Sequence, residues 1–195
     1  MLHAANIDQG FLATLGVPFL SLMYQAIDEA PRSVLIVDEA DGRVRGFVSG
    51  GSGMGPIYRR MLRHPFRLGR ALLPSIVRLR RLKRIIEIVR YGVGAAWPAG
   101  LPDAELLSIA VDPGWRGKGI AESLYSRLVA HFAGDEVPAF RIVVGAGLLP
   151  AHRFYRRMGA RIAGEVEVHA GEPSVMYVQE VSPQTVTTPV AADNA

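Results

Sequence analysis

The fold is decided by SIAVDPGWRGKGIAESLYSRL, Ser108–Leu128. Ile109-Ala110-Val111 is a short apolar run closed by the turn residues Asp112-Pro113-Gly114, and it reads as a buried strand. Arg116-Gly117-Lys118-Gly119 then leads straight into a helical pattern. A helix N-terminus has unpaired backbone N–H groups, and glycines let a ligand approach them closely. Successive N–H groups in such a turn form an anion nest, and Arg116 and Lys118 add charge for further phosphate oxygens. The local reading is a pyrophosphate cradle. The bland alternative is a packing turn, because short glycine-rich turns before helices are common.

Two better-known phosphate loops do not fit. A Walker A loop has four residues between its first glycine and the Gly-Lys pair, whereas Gly114 and Gly117-Lys118 are separated by two. The dinucleotide pattern G-x-G-x-x-G/A meets Glu122 at its last position.

Upstream, Leu12, Leu15, Phe19, Met23 and Ile27 step at helical intervals, predicting helix over residues 8–29 in two pieces around Gly16 and Pro18. Two β-rich runs flank Asp41-Gly42, a hairpin signal. Downstream lie a strand, AFRIVVGAG, and a short helix, PAHRFYRRMGA, with Pro150 near its start and Gly159 at its C-cap. RIAGEVEVHAGEPSVMYVQEV reads as a final hairpin, and residues 182–195 as a disordered tail.

Length and composition bound the answer. A chain of 195 residues that is 49% hydrophobic suits one globular domain with a sizeable core. No cysteine is present, which excludes disulfides, thiolate metal sites and a cysteine nucleophile, and fits a reducing cytoplasm. There is no apolar run long enough to span a membrane, and the N-terminus lacks the pattern of a secretory signal. His3, His64, His131, His152 and His169 are scattered without metal-ligand spacing, so no metal is expected.

Arg116-Gly117-Lys118-Gly119-Ile120-Ala121 resembles the acetyl-coenzyme A signature of the GCN5-related N-acetyltransferases (GNAT): Gln or Arg, two residues, Gly, one residue, Gly or Ala. AHRFYRRMGA, Ala151 to Ala160, is similar to that family's A-x-x-F-Y-x-x-x-G-F helix, with Ala160 in place of the aromatic. The order of elements also resembles this fold, over roughly residues 8–55 and 103–181. The resemblance implies an α/β (α+β) domain over residues 1–181. Its mixed, mostly antiparallel sheet would splay at the acetyl-CoA cleft between flanking helices.

The resemblance also implies a mechanism. Acetyl-CoA is the cosubstrate, pairing with backbone along Ile109, Ala110 and Val111. Its pyrophosphate rests on Arg116, Gly117, Lys118, Gly119, Ile120 and Ala121, and Phe154 is a further cofactor-binding residue. The acceptor amine attacks the thioester directly, which calls for a base, a polarised carbonyl and a proton for the departing thiolate. Tyr155 aligns with the family's general acid, the alternative being that it only packs its helix. Glu105 lies where relatives place a glutamate base, the alternative being an exposed strand-end acid. Two departures stand out: Leu148 replaces an asparagine usual three residues before Ala151, and the sequence begins almost at the family's first helix, so either the true start lies further upstream or the sheet lacks the family's first strand. In the second case the hairpin has a free edge that would suit pairing in a homodimer.

Residues 56–100 are an insertion of different character. They hold 11 of the chain's 22 Lys and Arg against one acid, Glu87, and read as two basic amphipathic helices broken near Pro65 and Pro74. This arrangement is similar to bacterial acetyltransferases associated with polysaccharide and amino-sugar biosynthesis. Three uses of the insertion compete: a lid over a phosphate-bearing small-molecule acceptor, a peripheral contact with an anionic membrane, or packing with solvated arginines. Charge alone would permit nucleic acid, but no recognition motif supports it. The expected reaction is acetyl transfer to a primary amine, for example of a nucleotide- or lipid-linked amino sugar. The alternatives are a protein-lysine or N-terminal acetyltransferase, or a non-catalytic acyl-CoA-binding protein.

Overall fold

The computed structural model describes residue 3 and residues 15–76, 100–169 and 172–181. Helix α1 spans Val17–Asp28 and is followed by β1 (Val34–Ala40), β2 (Arg43–Gly51), α2 (Met54–Leu62) and α3 (Pro65–Ile76). Then come β3 (Glu105–Val111), a 3-10 turn (Pro113–Trp115), α4 (Ile120–Gly134), β4 (Ala139–Gly145), α5 (Leu149–Arg157), β5 (Arg161–His169) and β6 (Glu172–Glu180).

The predicted helix over 8–29 is present in its second piece, started by Pro18 after Gly16; the first piece falls outside the described residues, apart from Leu15. Of the predicted stripe, Leu15, Phe19, Met23 and Ile27 are buried, and Leu12 lies outside the described residues. The β1–β2 hairpin turns at Asp41-Gly42, where both φ angles are positive (51° and 71°), as a two-residue primed turn requires. The insertion breaks at Pro65 as expected, but α3 runs through Pro74 to Ile76. The rest of the insertion, residues 77–99, and the expected tail lie outside the described residues.

One six-stranded sheet organises these elements, in the order β1-β2-β3-β4-β6-β5. All neighbours are antiparallel except β3 and β4. That parallel pair is short: it joins only Glu105 to Arg141 and Leu106 to Ile142. Both strands continue, to Val111 and Gly145, so the sheet forks beyond Leu106 and Ile142. β1 is an edge strand among the described residues.

Strand alternation divides the core in two. Val48, Leu106, Phe140, Ile142 and Val144 face α4 and α5, packing on Leu124, Leu128 and Tyr155. Phe47 and Ala110 face the other way, onto α1, α2 and α3 through Phe19, Tyr24, Ile57, Tyr58 and Met61. On the α4 side, β2 presents Gly46 and Gly50 around Val48. A Cβ on Gly50 would lie 2.8 Å from Leu128 Cδ1 and 2.9 Å from Phe132 Cζ, and one on Gly46 would lie 3.0 Å from Leu124 Cδ1. The two glycines therefore seat α4 close on the sheet. Among the described residues, no helix is long and apolar enough to cross a membrane.

Candidate active site at a fork in the sheet

The fork separates β3 from β4 and leaves strand backbone along its mouth. Asp112 N–H bonds Arg45 O on β2 at 2.8 Å, while Val111 O faces the other way and accepts from Arg116 Nε at 3.2 Å. Strand alternation then turns the amide and carbonyl of Ile109 toward the fork, past the last β3–β4 pair. A β-bulge also marks this stretch: Ser49 pairs with Ser108 and Gly50 with Leu106, so Leu107 is the extra residue. Bulges re-aim backbone and side chains in this way beside functional sites.

The cradle follows directly. Asp112 Oδ1 accepts from Gly114 N–H at 3.0 Å, closing the turn. Gly117 (φ 75°) and Gly119 (φ 78°) adopt left-handed backbone, and a Cβ on either would meet nothing within 4 Å. Conformation, not crowding, thus requires these glycines, and the space above them is open. Ser123 N–H makes the first helical bond, to Gly119 O at 2.9 Å. That leaves the N–H groups of Ile120, Ala121 and Glu122 at the open end of α4. Glu122, the one acid of the first turn, is drawn to Arg157 Nη2 at 2.6 Å. The two cations have structural employment as well: Arg116 braces Val111 O, and Lys118 Nζ lies 4.2 Å from the Trp115 ring centroid. Arg45 covers the same indole at 5.1 Å, tying the loop to the hairpin.

The two expected catalytic side chains lie on opposite faces of the sheet. Glu105 is beside α2, at the root of the fork. Its Oε2 accepts from Arg141 Nε (3.1 Å) and Nη2 (2.8 Å), and Arg141 Nη1 donates to Pro102 O at 2.6 Å. It is therefore not the exposed strand-end acid of the alternative reading: both partners are largely buried. Burial raises its pKa, against the opposing pull of the Arg141 guanidinium. Tyr58, buried on α2, is pushed up to about 12 by burial and then by the Glu105 charge. Gly53 (φ 74°) caps α2 where a Cβ would stand 3.1 Å from Arg141 Nη2.

Tyr155 is buried on the α4 side, in ring contact with Phe154, Tyr125 and Tyr177. Burial raises its pKa, so the phenol keeps its proton at neutral pH. Phe154 packs edge-on to Tyr125 at 5.7 Å. Leu148 precedes α5 with no side-chain cap and packs into the core. His152 does the anchoring: Nε2 donates to Gly145 O (3.1 Å) and Ala146 O (3.3 Å), and Nδ1 accepts from Tyr177 O–H at 2.8 Å.

Sequence reasoning missed Arg141, Tyr58 and a buried polar chain behind β3. Ser49 Oγ and Ser108 Oγ are 2.8 Å apart, Ser108 Oγ and Tyr24 Oη 2.9 Å, and Tyr24 Oη and His3 Nδ1 2.6 Å. The available signals were a charged residue inside the apolar strand AFRIVV and a serine inside LLSIAV.

Residues 5–160 match the acetyltransferase (GNAT) family. The chain belongs to the GNAT acetyltransferases. The fork and the RGKG cradle are therefore the geometry of a family member. No curated protein matches the chain in sequence. Among solved structures, an N-acetyltransferase from Staphylococcus aureus Mu50 superposes with a TM-score of 0.53 at 17% identity, over 93% of this chain and 93% of its own. A Bacillus anthracis strain Ames protein assigned as a streptothricin acetyltransferase, solved with acetyl coenzyme A, gives 0.52 at 12%, over 82% and 68%. At such identities these structures speak for the fold alone.

Proposed function

We propose that this GNAT enzyme moves the acetyl group of acetyl-CoA directly to a primary amine of a small, phosphate-bearing acceptor, such as a nucleotide- or lipid-linked amino sugar, in the cytoplasm. The observation that carries the transfer is the fork of β3 from β4 ending in an open, glycine-conformed cradle. The cradle N–H groups of Gly117 to Ala121 bind the pyrophosphate, and the amide and carbonyl of Ile109, turned to the fork, bond the pantetheine arm.

The two faces divide the proton work. On the α2 face, Glu105 receives the amine's proton; a carboxyl raised by burial is a better base than an ordinary one. Arg141 holds it at the root of the fork. On the α4 face, Tyr155 donates a hydrogen bond to the departing sulfur. Its raised pKa keeps the donor hydrogen in place at neutral pH. The acceptor class is supported by residues 77–100 of the insertion, which hold Arg78, Arg80, Arg81, Lys83, Arg84 and Arg90 against a single acid, Glu87, in sequence.

The test is thiol release from acetyl-CoA with separate pools of nucleotide-linked amino sugars, free amino sugars, polyamines and lysine peptides, run beside Tyr155→Phe. The expected result is release with the nucleotide-linked sugars, reduced tenfold or more in a folded Tyr155→Phe protein. Release with peptides alone would assign the chain to protein acetylation. An unchanged rate in the variant would remove Tyr155 from the chemistry.

A further inference from the structure

The corner between α2 and α3 is built unlike the rest of the surface. Residues 62 to 67, Leu-Arg-His-Pro-Phe-Arg, are exposed without interruption. Phe66 is 91% exposed and Leu62 53%. These are large apolar side chains held out by helices whose opposite faces, through Ile57, Met61 and Ala71, are buried in the core. The corner is therefore rigidly presented.

Its charge is one-sided. Residues 54–76 hold Arg59, Arg60, Arg63, Arg67 and Arg70 and no Asp or Glu. Arg60 leans back onto Glu29 at 3.1 Å, while Arg59, Arg63, Arg67 and Arg70 are exposed and lie within four residues of Leu62 or Phe66 in the chain. On α2, Arg59, Leu62 and Arg63 share a face by their three- and four-residue spacing; on α3, Phe66 and Arg70 do. An apolar tip ringed by arginines matches an interface with a negative plane over an apolar interior.

We propose that this corner docks the enzyme on an anionic lipid bilayer, Phe66 and Leu62 entering the acyl boundary while Arg59, Arg63, Arg67 and Arg70 contact headgroup phosphates. No described helix can cross a membrane, so the contact is peripheral. A second copy of this chain is a poor occupant, since a two-fold contact here would set arginines against arginines. Nucleic acid would satisfy the arginines and leave Leu62 without a counterpart. The inference stands on surface residues and does not depend on the reaction proposed above.

The experiment is flotation of the full chain with vesicles of phosphatidylcholine alone or mixed with phosphatidylglycerol, at low and high salt, beside a polyuridylate binding assay. Acetyl-CoA binding and a thermal melt serve as folding controls. The expected result is flotation only with the anionic vesicles, weakened by salt. Phe66→Ser weakens it about tenfold, and Arg63→Glu with Arg67→Glu weakens it tenfold or more. Phe66 packs on so little that its substitution leaves the melt unchanged. No flotation at low salt overturns the proposal. So does flotation indifferent to Phe66→Ser, or tight polyuridylate binding without vesicle binding.

Discussion

Replacing Gly50 with alanine tests how the cradle is positioned, at a residue that lies on a different element. The new Cβ would stand 2.8 Å from Leu128 Cδ1, 2.9 Å from Phe132 Cζ and 3.3 Å from Glu105 O. Carbon atoms pack at about 3.5–4.0 Å, so α4 must lift from β2 by roughly 1 Å or its side chains must leave their rotamers. Leu128 and Phe132 are both buried, at 0% and 3% exposure, and have nowhere to retreat. Overpacking of this kind costs about 1–3 kcal/mol. For a domain of this size, about 2 kcal/mol lowers the melting temperature by roughly 4–8 °C. The displaced helix carries Gly119 at its N-cap and the open N–H groups behind it, so the KM for acetyl-CoA should rise as well. Differential scanning calorimetry and steady-state kinetics read the two effects. A Gly50→Ala protein as stable as the parent would refute the seating of α4 on the glycine stripe.

Three further outcomes follow from the site. Glu105→Gln leaves Arg141 buried beside a neutral partner, so stability falls by up to about 3–5 kcal/mol; adding Arg141→Met restores the melt in part but not the turnover if Glu105 is the base, whereas recovery of both would make the pair purely structural. His3 is held below its ordinary pKa by burial, so the unfolded chain binds the extra proton as pH falls through about 6.5, and stability is lost below that value. Thermal melts from neutral to acid pH should show that loss shrinking in His3→Gln, and identical acid slopes would remove His3 from the account. Trp115→Ala takes away the indole under Lys118 and Arg45 and should weaken coenzyme A binding several-fold with little change in the melt; an unaltered affinity would show that the indole does not shape the cradle.

The strand, glycine loop and helix of Ser108–Leu128 were legible because their residues are forced by local physics. A left-handed backbone at Gly117 and Gly119 selects glycine, and the strand, turn and helix around them carry their own periodicities. The Asp41-Gly42 turn and the Gly159 cap were readable for the same reason. What stayed hidden depends on distant pairing. Arg141 reads as an oddity in an apolar strand until β4 is set beside β3 and Glu105 is found opposite. The insertion of β6 between β4 and β5 leaves no trace in either strand's own pattern. The chain His3–Tyr24–Ser108–Ser49 joins four residues spread over a hundred positions. Pro74 misled because the helix that begins at Pro65 continues past it to Ile76.

The first measurement to make is a calorimetric titration of coenzyme A into the full chain and into Gly119→Ala. At Gly119 a side chain meets no neighbour within 4 Å, yet φ is 78°, so the variant should fold and present a distorted cradle. The account predicts saturable binding to the parent at one site and at least tenfold weaker binding to the variant. No binding to the parent, or equal binding to both, would contradict a coenzyme A cradle at the mouth of α4.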